Sequence, residues 1–398
     1  MNAFVVDGIR TPVGSFTGSL STVRVDDLGA LVMVELLSRN PSLDPASIDD
    51  VIVGCANQAG EDNRNVARMS LLLAGLPVSV PGETVNRLCA SGMSAVVQAA
   101  RAAHSNEGDV FFAGGVENMT RGPWVMSKSS QPFGRDVQLY DSSFGWRFIH
   151  PTMQELYGTE AMGETAENLA KKFSISREDQ DQFAFWSQQK ASAAHDRLRK
   201  EIVKVQIPQR KGEPKIFESD EFIKPATSRE VLAGLKPAFR KGGTVTAGNS
   251  SGLNDGAAML LIASEKGLLQ NALKPLARIV SSAVVGVPPR IMGIGPVGAS
   301  KLALQRAGLA MDKMDVIELN EAFAAQVLAC TRELGLDDND VRLNPNGGAI
   351  ALGHPLGMSG ARLIHTAALQ LHESGGQYAL CTMCIGVGQG YAVILEKV

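Results

Sequence analysis

The feature that most limits how this chain can fold is a repeat of one unit at a fixed spacing. Asp50-Val51-Ile52 is matched by Asp315-Val316-Ile317, and Gly92-Met93-Ser94 by Gly357-Met358-Ser359, with both pairs 265 positions apart. In each copy a strand-like run leads through a glycine-containing turn into an alanine-rich helix, the second running over 354–371. A shared offset inside a shared pattern reads as internal duplication of one α/β unit. Residues 4–6, 50–54 and 110–113 read as strands, the last closed by Gly114-Gly115, and 28–37 and 65–73 read as helices. This alternation predicts an α/β fold with a largely parallel sheet. At 398 residues the chain has room for two or three domains.

The duplication also exposes what is not duplicated. In the second copy, the stretch 384–390 leads straight into a strand at 391–395. In the first, Gly114-Gly115 opens a long excursion, and the comparable strand comes only at 257–262. The expected domains are therefore an N-terminal half (1–118 and 246–272), an inserted loop domain (119–245) and a C-terminal half (273–398). The insertion holds Trp124, Trp146 and Trp186, a polar helix at 177–201 and a solvated loop at 211–215. It is expected to cover the site and to supply substrate or subunit contacts.

At the 265-residue spacing Cys89 corresponds to His354, so the two stand where equivalent helices begin. In Asn86-Arg87-Leu88-Cys89-Ala90-Ser91-Gly92 the small residues after the cysteine let a substrate approach the backbone. The positive end of the following helix predicts thiolate character; the alternative is a buried structural cysteine. His354, between Gly353 and Pro355, is expected near neutral pKa, where it can take a proton from Cys89. A turn histidine bonded to backbone is the alternative, and the repeat favours the catalytic reading. His365 and His372 read as structural or surface residues, and His104, His150 and His195 have no comparable setting.

Cys381 and Cys384 have zinc-like spacing but no second ligand pair, and they lie at a strand end rather than a helix start. No metal is expected. Cys384 reads as a functional thiol beside a glycine turn whose N–H groups can stabilise an oxyanion, and Cys381 as core. Asn320 follows a strand at 316–319; it either holds a water or carbonyl oxygen or simply forms the turn. The stretch 293–298 spells a dinucleotide-binding pattern, but Pro288, Pro289 and Arg290 stand where its strand should run, so it is discounted.

A net charge of −3 gives no footprint for nucleic acid. No apolar run reaches membrane-spanning length, and residues 1–7 lack the features of a signal peptide. Five cysteines, an odd number, suit a reducing compartment. A cytoplasmic enzyme is expected.

Taken together, Asn86 to Gly92, Asn320-Glu321-Ala322-Phe323, Gly353-His354-Pro355 and Cys384-Ile385-Gly386-Val387-Gly388 resemble the four signature motifs of the thiolase family, in order and across essentially the whole chain. The resemblance implies a duplicated fold with a five-layered αβαβα core and an inserted loop domain. It implies Cys89 as nucleophile toward a 3-oxoacyl-CoA, His354 as its activator and a ligand of the thioester oxygen, and Asn320 as holder of a water in that first oxyanion hole. Cys384 would protonate the departing acetyl-CoA carbanion, and the N–H groups of Cys89 and Gly386 would form a second oxyanion hole. Coenzyme A enters as substrate, with no tightly bound cofactor. Its pantetheine would meet Ala247, Gly248 and Ser251, in a channel lined by Met162, Phe239 and Phe323, with Lys224 toward the nucleotide. A homodimer or homotetramer is implied.

Acetoacetyl-specific members resemble Tyr-x-His-Met, whereas this chain has Ala161 where that histidine would sit. The stretches 54–69 and Gly145-Trp146-Arg147-Phe148 are most similar to 3-oxoadipyl-CoA thiolases. Arg147 has two readings, a partner for a substrate's distal carboxylate or a structural ion-pair residue. The alternatives to a 3-oxoacyl-CoA thiolase are an acetyl-CoA acetyltransferase, an NAD-binding oxidoreductase and a non-catalytic CoA-binding protein.

Overall fold

The structure, a computed structural model, describes residues 2–398. Among them, nine strands build the main sheet: β1 (Ala3–Arg10), β2 (Asp50–Gly54), β3 (Gly82–Val85), β4 (Val110–Asn118), β5 (Asn254–Ser264), β6 (Ala277–Gly286), β7 (Val316–Leu319), β8 (Tyr378–Ile385) and β9 (Gln389–Lys397). Their order is β7-β8-β9-β6-β1-β5-β4-β2-β3, with the short strand Gly14–Ser15 beside β5. The halves mirror one another, since β1, β2, β4 and β5 have β6, β7, β8 and β9 as counterparts. Within the sheet, among the described residues, they pair where Phe4 faces Arg278 and Val5 faces Ala277.

The sheet is mixed, which corrects the expectation of a largely parallel one. Only β2–β3, β2–β4 and β7–β8 run parallel. Each unit ends in an antiparallel pair, β4–β5 and β8–β9. The second pair closes through a tight turn at 386–388, whereas the first opens at the same place into the insertion. Strand β4 also runs through Gly114-Gly115 rather than ending there.

The principal helices are α1 (Val25–Arg39), α2 (Val66–Leu73), α3 (Ser91–His104), α4 (Met162–Lys172), α5 (Arg177–Ala193), α6 (Gly295–Ala307), α7 (Ala324–Leu334) and α8 (Leu356–Ser374). Three apolar cores show how they layer. Ala95, Val96 and Ala99 of α3 meet Leu363, Ile364 and Ala367 of α8 between the inner faces of both half-sheets, marked by Leu260 and Val393. Neighbouring strand residues point the other way, as the period of two requires. Leu261 shares one outer core with Leu28 of α1 and Leu71 of α2, and Ile394 shares the other with Ala303 of α6 and Val327 of α7. The result is five layers, helix–sheet–helix–sheet–helix. Full burial of each such Leu, Ile or Val contributes about 1.5–3 kcal/mol.

The central helices cross at their first turns. A Cβ on Gly92 or Gly115 would strike the Gly357 carbonyl, and one on Gly360 would strike the Met93 backbone. Glycine at these points is what lets the two helix starts touch. Helix α8 begins at Leu356 rather than at His354, because Pro355 keeps the extended backbone of a residue outside the helix.

The insertion is tied down rather than loosely attached. Buried Arg10 of β1 donates to Glu201 at 3.1 Å and to Asp220 at 2.7 Å. Leu169 of α4 and Phe183 of α5 join the outer core of the C-terminal half. The expected helix at 177–201 is broken at Ala194 and resumes only over His195–Arg199. The break lets Glu201 reach Arg10. No helix among the described residues is long and apolar enough to cross a membrane.

Candidate active site

Cys89 sits on a strained elbow between β3 and α3. Leu88, just before it, has φ of +47°, a region that L residues seldom occupy. Two side chains hold the elbow. Asn86 accepts from Leu88 N–H at 2.9 Å and donates to the Ala56 carbonyl at 3.0 Å. Ser91 accepts from Arg87 N–H at 2.9 Å and donates to the Leu88 carbonyl at 2.7 Å. The backbone N–H groups of Gly386 and of Cys89 itself both point at the Cys89 sulfur.

That sulfur is not the thiolate expected from its helix terminus. Burial pushes the Cys89 thiol up, and the two N–H groups only partly oppose this. The nearby Glu117 carboxylate adds to the upward push. Desolvation outweighs the helix dipole here.

His354 lies in the break before α8, two residues ahead of it, as Cys89 lies two residues ahead of α3. Its N–H donates to Asn254 Oδ1 at 2.9 Å. Its Nδ1 is 2.6 Å from Ser359 Oγ, and that hydroxyl donates to the Pro355 carbonyl at 2.8 Å. The hydroxyl proton is thus committed elsewhere, so Nδ1 carries the ring proton and Nε2 is left as the acceptor. Asn320 Nδ2 approaches Nε2 at 3.4 Å. Burial, with the Arg362 charge, pulls His354 down to about 4 rather than leaving it near neutrality. The imidazole is a neutral base at physiological pH.

Asn320 is fully buried and its Oδ1 has no partner among the described residues. Its N–H donates to the Thr382 carbonyl at 3.0 Å, fixing the turn after β7 beside β8. An orphan acceptor of this kind can hold a water.

Cys384 lies near the end of β8, in a buried cluster with Met292, Ala322 and Phe323, against Met162. Burial, and then the Cys89 sulfur, push its thiol well up. Cys381 points into the central core with its Sγ toward the Leu363 carbonyl, so the two cysteines face opposite sides of the sheet and do not form a ligand pair. Gly386 begins the turn; a Cβ there would contact Leu88 and Met162. Val387 and Gly388 follow at φ of +64° and +89°.

The other predicted contacts divide into two groups. Phe239 and Phe323 meet edge to face at 6.1 Å, and Met162 joins them beside Cys384 and Gly386. Ser251 donates its N–H to the Ala322 carbonyl at 3.0 Å. Glu167 accepts from Thr244 and Val245 at 2.8 Å each, which holds this loop on α4. Ala247 is exposed, and Gly248 packs on Leu232 and Leu235. Lys224 is exposed with Nζ 5.0 Å from the Phe222 ring centre, and no contact brings it to the thiols.

Several residues went unread in the sequence. Ser359 belongs to the repeated Gly-Met-Ser, yet its bond to His354 needs the bend at Pro355. Asn254 carries no local signal. Glu117 is a charge inside an apolar strand, which is a signal; it accepts N–H groups of Ala56, Asn57 and Gly357 at 3.0, 3.1 and 2.9 Å. Burial pushes it up to about 7. Glu117, Asp62 and Cys55 come close enough to share a cation, but their atoms already bond to one another or to backbone N–H groups. Residues 293–298 form the last turn before α6 and its start. Gly295 packs on the Gln389 backbone, which leaves no room for a phosphate cradle.

Comparison with known proteins agrees with this geometry over the full length. Residues 3–266 match the thiolase N-terminal domain and residues 273–397 the thiolase C-terminal domain. The chain is 59% identical to a beta-ketoadipyl-CoA thiolase of Acinetobacter baylyi, covering 100% of both chains. It is 58% identical to the 3-oxoadipyl-CoA/3-oxo-5,6-dehydrosuberyl-CoA thiolase of Escherichia coli, covering 100% of this chain and 99% of that one. Human mitochondrial 3-ketoacyl-CoA thiolase superposes with a TM-score of 0.92 at 40% identity, over 100% of this chain and 99% of that one. Duplicated halves, two thiols from different halves and full-length matches to both domains lead to one conclusion: the chain belongs to the thiolase family.

Proposed function

We propose that this thiolase cleaves 3-oxoadipyl-CoA with free CoA, giving acetyl-CoA and succinyl-CoA through an acyl group carried on Cys89. The observation that carries the chemistry is that Cys89 lies close enough to Cys384 and the Gly386 N–H to act on them, while His354, locked by Ser359 beside Asn320, stands at the equivalent helix start. His354 Nε2 takes the Cys89 proton as sulfur attacks the 3-oxo carbon. The C2–C3 bond breaks, and its electron pair moves toward the CoA thioester oxygen. That oxygen is held by His354 Nε2–H and a water on Asn320. Cys384 gives its proton to C2, releasing acetyl-CoA. The incoming CoA thiol then loses its proton to the Cys384 thiolate and attacks the acyl carbon, whose oxygen lies against the N–H groups of Cys89 and Gly386. Cys89 leaves and recovers its proton from His354. Placing donors where charge develops is worth far more in a dry site than in water.

Pantetheine lies along Ser251, Ala247 and Gly248, with Met162, Phe239 and Phe323 as walls and Lys224 near the nucleotide. The choice of acyl group is supported by the names of the relatives at 58–59% identity. Five free cysteines support a reducing, cytoplasmic setting. Exposed Trp124, Phe133 and Leu139 on the insertion support a homodimer or homotetramer. The test is a side-by-side measurement of kcat/KM on 3-oxoadipyl-CoA, 3-oxohexanoyl-CoA and acetoacetyl-CoA. The highest value is expected on 3-oxoadipyl-CoA; a preference for acetoacetyl-CoA would replace this reading with an acetyl-CoA acetyltransferase.

A further inference from the structure

Arg147 is a charged residue whose setting the chemistry above leaves unexplained. It is half-buried, and it makes no ion pair among the described residues. Its guanidinium donates to the Ser142 carbonyl at 3.2 Å and reaches Asn57 Oδ1 only at 3.5 Å. Both acceptors are neutral, and three of its five N–H donors are unused. Of the acidic residues near it in the chain, Glu155 is exposed and does not pair with it, and Asp141 and Glu160 are already engaged. Asp141 accepts from Ser143 N–H at 2.8 Å, and Glu160 pairs with Arg290. The structural ion-pair reading of Arg147 therefore fails.

Its position brackets the site from two sides. Asn57 adjoins Ala56, whose carbonyl is held by Asn86, the residue that also fixes Leu88 ahead of Cys89. On the other side, Trp146 Nε1 donates to the Glu160 carbonyl at 3.3 Å, two residues before Met162, which faces Gly386. The turn holding Arg147 is thus tied both to the segment that holds the Cys89 elbow and to the segment that leads into Met162. Arg87, two residues before Cys89, is turned elsewhere: it donates to Gln389 at 3.0 Å and lies over the Tyr391 ring, toward β9.

We infer that Arg147 is a specificity-determining residue that binds the distal carboxylate of a dicarboxylic acyl group carried on Cys89. An acyl chain leaving Cys89 with two methylenes ends in a carboxylate, and a carboxylate taken from water needs a cationic or hydrogen-bonding partner. A guanidinium with free paired donors is the side chain that fits such an anion. The inference rests on the proposed 3-oxoadipyl-CoA reading.

The test compares wild type, Arg147→Gln and Arg147→Lys on 3-oxoadipyl-CoA and on 3-oxohexanoyl-CoA, which has six carbons but no distal charge. Arg147→Gln is expected to lose roughly 10- to 100-fold in kcat/KM on 3-oxoadipyl-CoA, the span of one charge-assisted hydrogen bond, and to stay within about threefold on 3-oxohexanoyl-CoA. Arg147→Lys is expected to recover part of the loss. Equal losses on both substrates, with circular dichroism unchanged, would make Arg147 a prop for the turn and overturn the inference. Full activity of Arg147→Gln on 3-oxoadipyl-CoA would overturn it as well. A wild type that does not prefer 3-oxoadipyl-CoA would reject the substrate reading itself, and the inference with it, before any variant is measured.

Discussion

A thiol and an imidazole beside each other can rest as an ion pair or as two neutral groups. Burial decides between them here, since it raises Cys89 and lowers His354 to about 4. The pair waits uncharged and separates charge only when the substrate carbonyl arrives to share it. The same physics reaches His365 of α8, whose ring packs against Gly8 with Nε2 unpartnered, and which burial pulls down to about 3. In the unfolded chain both histidines titrate near the ordinary value of about 6.5. Below that pH the unfolded chain binds protons that the folded protein refuses. Their contribution is therefore fully present above pH 6.5 and is lost as pH falls. Glu117 and Glu318, each pushed up to about 7, act in the opposite sense: their contribution is present at low pH and is lost as pH rises through 7. His365→Gln removes one histidine and leaves these carboxylates in place. The difference in unfolding free energy, wild type minus variant, should fall by about 1.4 kcal/mol per pH unit between pH 6 and 4. Urea titrations across that range measure it, and parallel curves would mean that His365 is not held neutral.

At the scale of elements, two helix starts place the chemistry, and glycine sets their separation. Gly92 and Gly357 are repeat partners; a Cβ on Gly92 would strike the Gly357 carbonyl, and one on Gly357 would strike the Val116 and Gly54 carbonyls. Gly92→Ala must push one central helix away from the other, because the obstacle is a carbonyl that cannot change rotamer. A loss of about 1–3 kcal/mol is expected, as for other overpacked sites, together with a fall in kcat. An unchanged urea midpoint with full activity would show that the crossing has slack. Much of this was legible in the sequence, since the repeat alone paired Cys89 with His354 and marked where the insertion departs. What escaped has physical reasons. The mixed sheet escaped because alternation of strands and helices does not encode the closing hairpin of each unit. Gly114-Gly115 read as a turn because a strand glycine that admits a carbonyl from another layer looks the same in one dimension. The partners Ser359 and Asn254 escaped because they become neighbours of His354 only after Pro355 bends the chain and β5 is threaded beside it.

At the scale of the molecule, duplication supplied two equivalent helix starts and two equivalent hairpin ends, and the copies then diverged. The first copy carries Cys89, the proposed nucleophile, and opens its hairpin into the insertion, whose Met162 and Phe239 pack beside the second thiol. The second carries His354, the proposed base, the second thiol and the tight turn that brings Gly386 N–H to Cys89. Neither half holds a complete site, and the central core is shared between them. The account therefore assigns the two thiols different tasks: Cys89 carries the acyl group and Cys384 moves the proton. Intact mass of wild type, Cys89→Ser and Cys384→Ser after incubation with succinyl-CoA, alongside turnover on 3-oxoadipyl-CoA, tests this most directly. Wild type and Cys384→Ser should each gain one succinyl group and Cys89→Ser none, while Cys384→Ser loses most of its turnover, on the order of 100-fold or more. An adduct that persists in Cys89→Ser, or a Cys384→Ser that keeps full turnover, would contradict it.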